Sequence, residues 1–313
     1  MKILSFLTLS TLTFATAHAQ ECKLVANEIF QPQNKNIALV RYSNLAAPSN
    51  FILFKTGLRV NTDGAPTSYH PNDPRGTSLA INNVVNGVSI RKPGANLSYG
   101  QKIVAFEKFR DANWKVPLGY KIVWQNVIAP RIQNGISVPC VFTTGPNAGY
   151  FGSLTTLKNE LSGVAAGECQ VNDQLDQRTI AGLVLPSGEN PLKHFNARIG
   201  DIAVVINPTT GKVVTAVVAD GGPPENLGEG SVALNMALLG KTDQPKNYQE
   251  AKLLDTGSQR MLVAIIPRTK QFSSKLPFTS ENIKERVGKW ASENGYASLD
   301  GIVTAINTCA NKL

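Results

Sequence analysis

Between Val217 and Ser231 the chain reads VVADGGPPENLGEGS, which sets two carboxylates, Asp220 and Glu229, on either side of a loop of glycine and proline. Two carboxylates facing each other across a groove are the equipment of glycoside hydrolysis. One, protonated, donates to the leaving oxygen; the other, ionised, activates water or attacks the anomeric carbon. Asp220 closes an apolar run and so stands at the mouth of a buried strand, a rigid position for a reactive side chain. Gly221, Gly222, Pro223 and Pro224 then turn the chain without bulk, and Glu229, between Gly228 and Gly230, precedes a helix start. The same residues admit a purely structural reading, in which Asp220 bonds the loop amides and Glu229 favours the helix start by its charge.

Other side chains rank behind this pair. Asp63 sits in an Asp-Gly-Ala-Pro segment that reads as a turn, and as a functional group it would line a sugar groove together with Tyr69, whose ring suits the apolar face of a pyranose. His70 reads as packing, and Glu225, inside the glycine and proline loop, reads as a solvated substitute acid. A serine or cysteine hydrolase fits poorly, because the chain has no G-x-S-x-G elbow and only His70 and His194 as bases beyond residue 19. Neither a metal nor an organic cofactor is expected: no CxxC pair exists, and these histidines lie far from the cysteines in sequence.

The elements that must hold the pair are mostly strands. Short β-rich runs recur at Asn36 to Tyr42, Phe51 to Phe54, Gly57 to Val60, Lys121 to Trp124 and Val127 to Ile128. Further runs follow at Ile180 to Leu185, Ile202 to Ile206, Val213 to Val218 and Met261 to Ile266. IAVVI and VVTAVV flank Asn207 to Lys212, a hairpin turn in which Gly211 supplies a positive φ, and both runs are apolar enough to be buried on two faces. Three helices are expected. Ser231 caps VALNMALL before Gly240, Ser280 caps ENIKERVGKWASENG before Gly295, and a last one runs from about Ser298. These signals predict a β-rich α+β protein, with a barrel-like mixed β core, a few helices and a helical C-terminal extension.

The first residues, MKILSFLTLSTLTFATAHAQ, read as a secretory signal over 1–19, cleaved after Ala19. Residues 20–278 then form the core domain, and 279–313 the helical extension packed on it. No later stretch is long and apolar enough for a membrane helix, so a secreted, extracellular or periplasmic monomer is expected. The formal charge is +9, and removing a signal whose one charge is Lys2 leaves +8. The basic residues are scattered, with no run interleaved by aromatics, which argues against nucleic acid as a partner. Four cysteines in an exported chain point to disulfides with three possible connectivities; Cys140 with Cys169 and Cys22 with Cys309 is the preferred one.

VVADGGP followed by LGEGSVALNMALLG resembles the core of the fungal-type chitosanases, glycoside hydrolase family 75, in which an aspartate closing a strand precedes a glutamate at a helix entrance. TDGAPTSYHP over Thr62 to Pro71, YFGSLTTL from Tyr150 and RIGDIAVV are similar to further family elements in the same order, over roughly Gly57 to Ile266. The resemblance implies an inverting endo-hydrolase of β-1,4-linked glucosamine polymers, with Asp220 as general base, Glu229 as general acid and a polysaccharide as partner. Asn61 stands where related chains often carry an aspartate. Partly acetylated chitosan and peptidoglycan strands are therefore alternative substrates, and a non-catalytic carbohydrate-binding or inhibitory protein is the alternative from another class.

Overall fold

The computed structural model describes residues 23–30, 38–44, 50–159, 163–270 and 277–310. The chain opens with β1 (Lys23–Phe30), β2 (Ala38–Asn44), β3 (Asn50–Thr56) and β4 (Arg59–Asn61). A lobe follows, built from α1 (Val84–Gly87), β5 (Ser89–Arg91), α2 (Tyr99–Asp111), β6 (Lys121–Val123), β7 (Pro130–Gln133) and β8 (Ile136–Pro139). After a 3-10 turn at Glu168–Asp173 come β9 (Gly182–Pro186), α3 (Pro191–His194), β10 (Ile202–Ile206), β11 (Val213–Gly222) and β12 (Glu229–Ser231). The chain continues through α4 (Val232–Leu239), α5 (Tyr248–Lys252), β13 (Met261–Ile266), α6 (Ser280–Glu293) and α7 (Leu299–Ala310).

Nine strands form one mixed sheet in the order β1-β2-β3-β13-β10-β11-β9-β12-β4. Only Gly57 and Leu58 separate β3 from β4, yet the two stand six places apart in that order. A two-residue link spans about 10 Å at most, so the sheet between them has to curl back on itself into a half-barrel. The fold is therefore α+β with a barrel-like mixed sheet, as the strand and helix patterns predict.

Strand alternation divides the packing. Ala203 and Val205 of β10 face the interior of the curl with Ile52, Phe54, Leu183, Val218 and Val263, while Ile202, Val204 and Ile206 face outward. β10 is thus buried on both faces; β11 is fully buried only from Ala216 to Asp220. The outward face of β3, β13 and β10 is covered by α6 and α7 through Val287, Trp290, Ala291, Ile302 and Ile306. The C-terminal helices are part of the sheet's core and have no separate one.

Several local expectations hold. The Asn207 turn closes with Asn207 N–H on the Lys212 carbonyl at 2.9 Å, and Gly211 takes φ 71°. Ser231 caps α4, accepting from Leu234 N–H at 3.0 Å, and Gly240 ends the helix in the left-handed region. A disulfide joins Cys140 to Cys169. Its expected companion, Cys22 with Cys309, falls on Cys22, outside the described residues, as does the 1–19 signal.

Others need correction. α6 is capped by Thr279, whose side chain accepts from Asn282 N–H at 3.1 Å. Thr279 is extended, while Ser280 is already helical and donates its hydroxyl to the Thr179 carbonyl instead. Val127 to Ile128 is no strand; Ile128 makes an isolated bridge to Ser153. α2, absent from the sequence reading, starts at a Ser98 and Gln101 capping box and buries Ile103, Phe106 and Phe109 in the lobe.

Trp290 lies edge-on to Phe51 at 5.7 Å between ring centroids and stacks on Tyr296 at 5.7 Å. Trp290→Ala should therefore destabilise the whole protein by about 3–5 kcal/mol, in one cooperative urea transition. An early, separate transition for the helices would show that the extension is independently folded.

Candidate active site

β9 lies between β11 and β12, parallel to the first and antiparallel to the second. Asp220 of β11 and Glu229 of β12 are both paired with the same residue, Val184. Paired residues on neighbouring strands project from the same face of a sheet, so the two carboxylates point the same way, one strand apart on either side. Their Cα atoms are then about 10 Å from each other, two strand spacings. Strict alternation after Val218 would turn Asp220 inward. A register shift between Val218 and Asp220 sets it level with Val184 instead, the re-aiming that a β-bulge performs.

The small residues of the loop now have a use. A Cβ on Gly222 would lie 2.9 Å from Val184 Cγ1 and 3.3 Å from Glu229 Oε2, so this glycine leaves the space that the glutamate side chain enters. Gly228, at φ 91°, brings its backbone against the β3–β4 corner, where Arg59 N–H donates to its carbonyl at 2.9 Å.

Asp220 is buried, and its Oδ1 accepts from Thr156 N–H at 3.1 Å, from the Thr156 hydroxyl and from Gly221 N–H at 2.8 Å. Burial raises its pKa; these bonds and the Lys158 charge hold it down. Glu229, partly buried, accepts at Oε1 from Asn226 Nδ2 at 2.8 Å. Burial raises it as well, aided by the Asp220 charge and opposed by Asn226, Arg59 and Asn61. Glu229 belongs to a strand and stands ahead of the Ser231 cap, and desolvation outweighs any pull from the helix start.

Asp63 joins them. It follows β4, its N–H donates to Asn61 Oδ1 at 2.8 Å, and the Tyr69 hydroxyl donates to its Oδ1 at 2.6 Å. Its carboxyl is hemmed in by protein at the cleft wall. Burial first, then the Asp220 charge, push its pKa up to about 7, with Glu229 adding and Tyr69 opposing.

All three carboxyls line one cleft of about 890 Å³. Its charged lining is Asp63, Asp220, Glu229 and Asp255 against Arg59 and Lys252, so the cleft is acidic on a basic protein. Tyr69 lines the cleft as expected, but not with the face of its ring. It is 1% exposed with its ring in the lobe's apolar cluster, so the ring offers no platform to a sugar and the hydroxyl alone reaches Asp63. His70 packs edge-on against Tyr150, and neither it nor Glu225 lines the cleft. Among the described residues, no three His, Cys, Asp or Glu side chains are grouped to hold a metal ion.

The sequence reading missed Thr156, Asn226 and the Asn61–Gln177 pair, in which Gln177 Nε2 donates to Asn61 Oδ1 at 3.1 Å. Thr156 does lie in the YFGSLTTL stretch, but nothing in its neighbourhood marks which hydroxyl meets an aspartate 64 residues on.

Asp63 holds a proton in the folded state at pH values where the unfolded chain, with an ordinary value of 3.8, has lost it. Its contribution to stability therefore declines as pH rises from about 4 and is gone above about 7. Thermal melts of Asp63→Asn should show the variant gaining on the parent across that window; a gap constant with pH would mean that Asp63 ionises normally. No protein-family model matches the chain and no curated protein matches it, so the cleft has to be interpreted from its own geometry.

Proposed function

We propose that this protein is a secreted glycoside hydrolase, chitosanase-like, that cuts β-1,4-linked amino-sugar polymers internally with inversion. The observation that carries the reading is the shared opposition of Asp220 and Glu229 to Val184, which aims both carboxyls into one cleft large enough for sugar units. Inverting enzymes hold their carboxyls roughly 6.5–9.5 Å apart so that water fits beside the ring, and Cα atoms about 10 Å apart suit that range. Asp220, with three donors on Oδ1, is the group best kept as an anion and takes the role of base toward water. Glu229 stands opposite as the acid, in the order that the chitosanase resemblance implies.

The acidic cleft removes an objection from charge. A polycationic chain would be repelled by a surface of +8, but it meets four carboxyls and two cations in the groove itself. Partly acetylated chitosan or peptidoglycan strands are favoured by one feature: Asn82, Asn86 and Asn126 line the same cleft, and their carboxamides offer neutral partners to acetamido groups. The leader-like start and the Cys140–Cys169 disulfide support export.

Release of reducing ends from chitosan, chitin oligomers and purified peptidoglycan tests the proposal and picks the substrate. Asp220→Asn and Glu229→Gln, both checked for folding, should each lower kcat by about 10²–10⁴-fold. Near-parental turnover in either variant removes that residue from the mechanism, and oligosaccharide binding with no new reducing ends would make the protein a binding module.

A further inference from the structure

We propose that Asp63 is a third reactive carboxyl of this cleft and the one that protonates the departing sugar oxygen, leaving Glu229 as an anion that stabilises positive charge developing at the anomeric carbon. The proposal rests on the glycoside-hydrolase reading and moves one role within it.

The carboxyl is fixed on one oxygen and open on the other. Tyr69 holds Oδ1, no described residue is hydrogen-bonded to Oδ2, and Asp63 is part of the cleft lining. Tyr69 is buried, and its hydroxyl accepts from Asn82 Nδ2 at 3.1 Å while Asn82 also donates to the Thr62 hydroxyl at 3.0 Å. Asn61 ties the Asp63 backbone to the strand beside Glu229. A donor acid needs this arrangement, an oriented carboxyl with one free oxygen and no anion-stabilising cation.

Glu229 is surrounded by the opposite kind of neighbour. Asn226 donates to it, and Arg59 is its paired residue on β4. The titratable groups that act most on Asp63 are Tyr69 from the turn after β4, Asp220 from β11 and Glu229 from β12, the last two both negative, while Arg59, Lys252 and Asp255 also line the cleft. Lys158 acts on Asp220 and Arg59 on Glu229, so the nearby cations favour the other two anions. The upward push on Asp63 to about 7 agrees with this placement.

The step balances. The Asp63 Oδ2–H bond breaks as its proton goes to the glycosidic oxygen, and the bond from that oxygen to the anomeric carbon breaks with its electron pair leaving on the alcohol. The water oxygen bonds to the anomeric carbon, and the water proton passes to Asp220. Asp220 then returns a proton to solvent and Asp63 takes one back.

Two measurements decide it. In carboxyl ¹³C NMR of the unmodified protein, Asp63 should titrate last of the three, near neutrality. Its midpoint should fall by about a unit in Asp220→Asn and rise in Tyr69→Phe. In kinetics, an aryl glycoside whose leaving group needs no protonation should restore turnover to Asp63→Asn at least tenfold relative to the polymer, and should not restore Asp220→Asn. Titration of Asp63 below about 5, or restoration of Glu229→Gln in place of Asp63→Asn, overturns the assignment while leaving a hydrolase. Absence of turnover by the unmodified protein on every glycan overturns the hydrolase reading too, and the two failures are told apart by that control.

Discussion

One strand's width sets the spacing of the two carboxylates in this cleft. Had β11 and β12 been neighbours, Asp220 and Glu229 would sit about 5 Å apart, a spacing that leaves no room for water beside a sugar ring. With two strands between them the separation would be about 14 Å, too wide for one glycosidic bond. The insertion of β9 gives the intermediate value, and pairing both residues with Val184 puts them on one face at one level. The chain has to cross the end of β9 to do this. Gly222 to Gly228 is that crossing, tied down where Ser187 N–H donates to the Gly222 carbonyl at 3.0 Å. Glycine and proline fill it because a side chain at Gly222 would occupy the space of Glu229.

Three carboxyls brought together out of water are expensive to hold, and the protein moderates that cost with neutral donors. Thr156 and Gly221 serve Asp220, Asn226 serves Glu229 and Tyr69 serves Asp63. A close lysine or arginine on each would have locked all three as anions and left nothing to give a proton. Amides and hydroxyls lower the cost of ionisation without fixing it. Apolar burial elsewhere offsets the cost of such a site, and β10 and β13, whose every residue is buried, are part of it.

Legibility in the sequence followed how local each cause was. IAVVI and MLVAII match β10 and β13 residue for residue, because strands buried on both faces are written as continuous apolar runs. The Ser231 cap and Gly240 stop are equally local. β12 was hidden, since Glu229-Gly230-Ser231 has no strand character and becomes a strand only by pairing with β9 and β4. α2 was hidden for the reverse reason: its buried residues are interleaved with lysine, glutamate and arginine, and its capping box involves Gln101 rather than an acid. In the site, the two carboxylates were visible from their loop, but the bulge that aims one of them is a fact of register. Tyr69 was legible as near the site and illegible in orientation, since its ring direction depends on a lobe built from residues far along the chain.

That dependence on distant residues extends to the C-terminal helices. None of their residues lines the cleft, and on that ground they look remote from the chemistry. Ile283 of α6 and Phe278 just ahead of it nonetheless pack with Val217 and Ala219, the outward residues of β11 immediately before Asp220. Ala219 lies within the register shift itself, and its side chain is fully buried. A bulge is a local loss of ladder pairing and by itself leaves a strand free to slip back into register. Packing Phe278 and Ile283 on Ala219, the residue left unpaired in the β9 register, fixes the β11 backbone at the point of the shift and opposes that slip. The helical extension therefore acts on the cleft through the backbone of β11, holding the irregularity that aims Asp220.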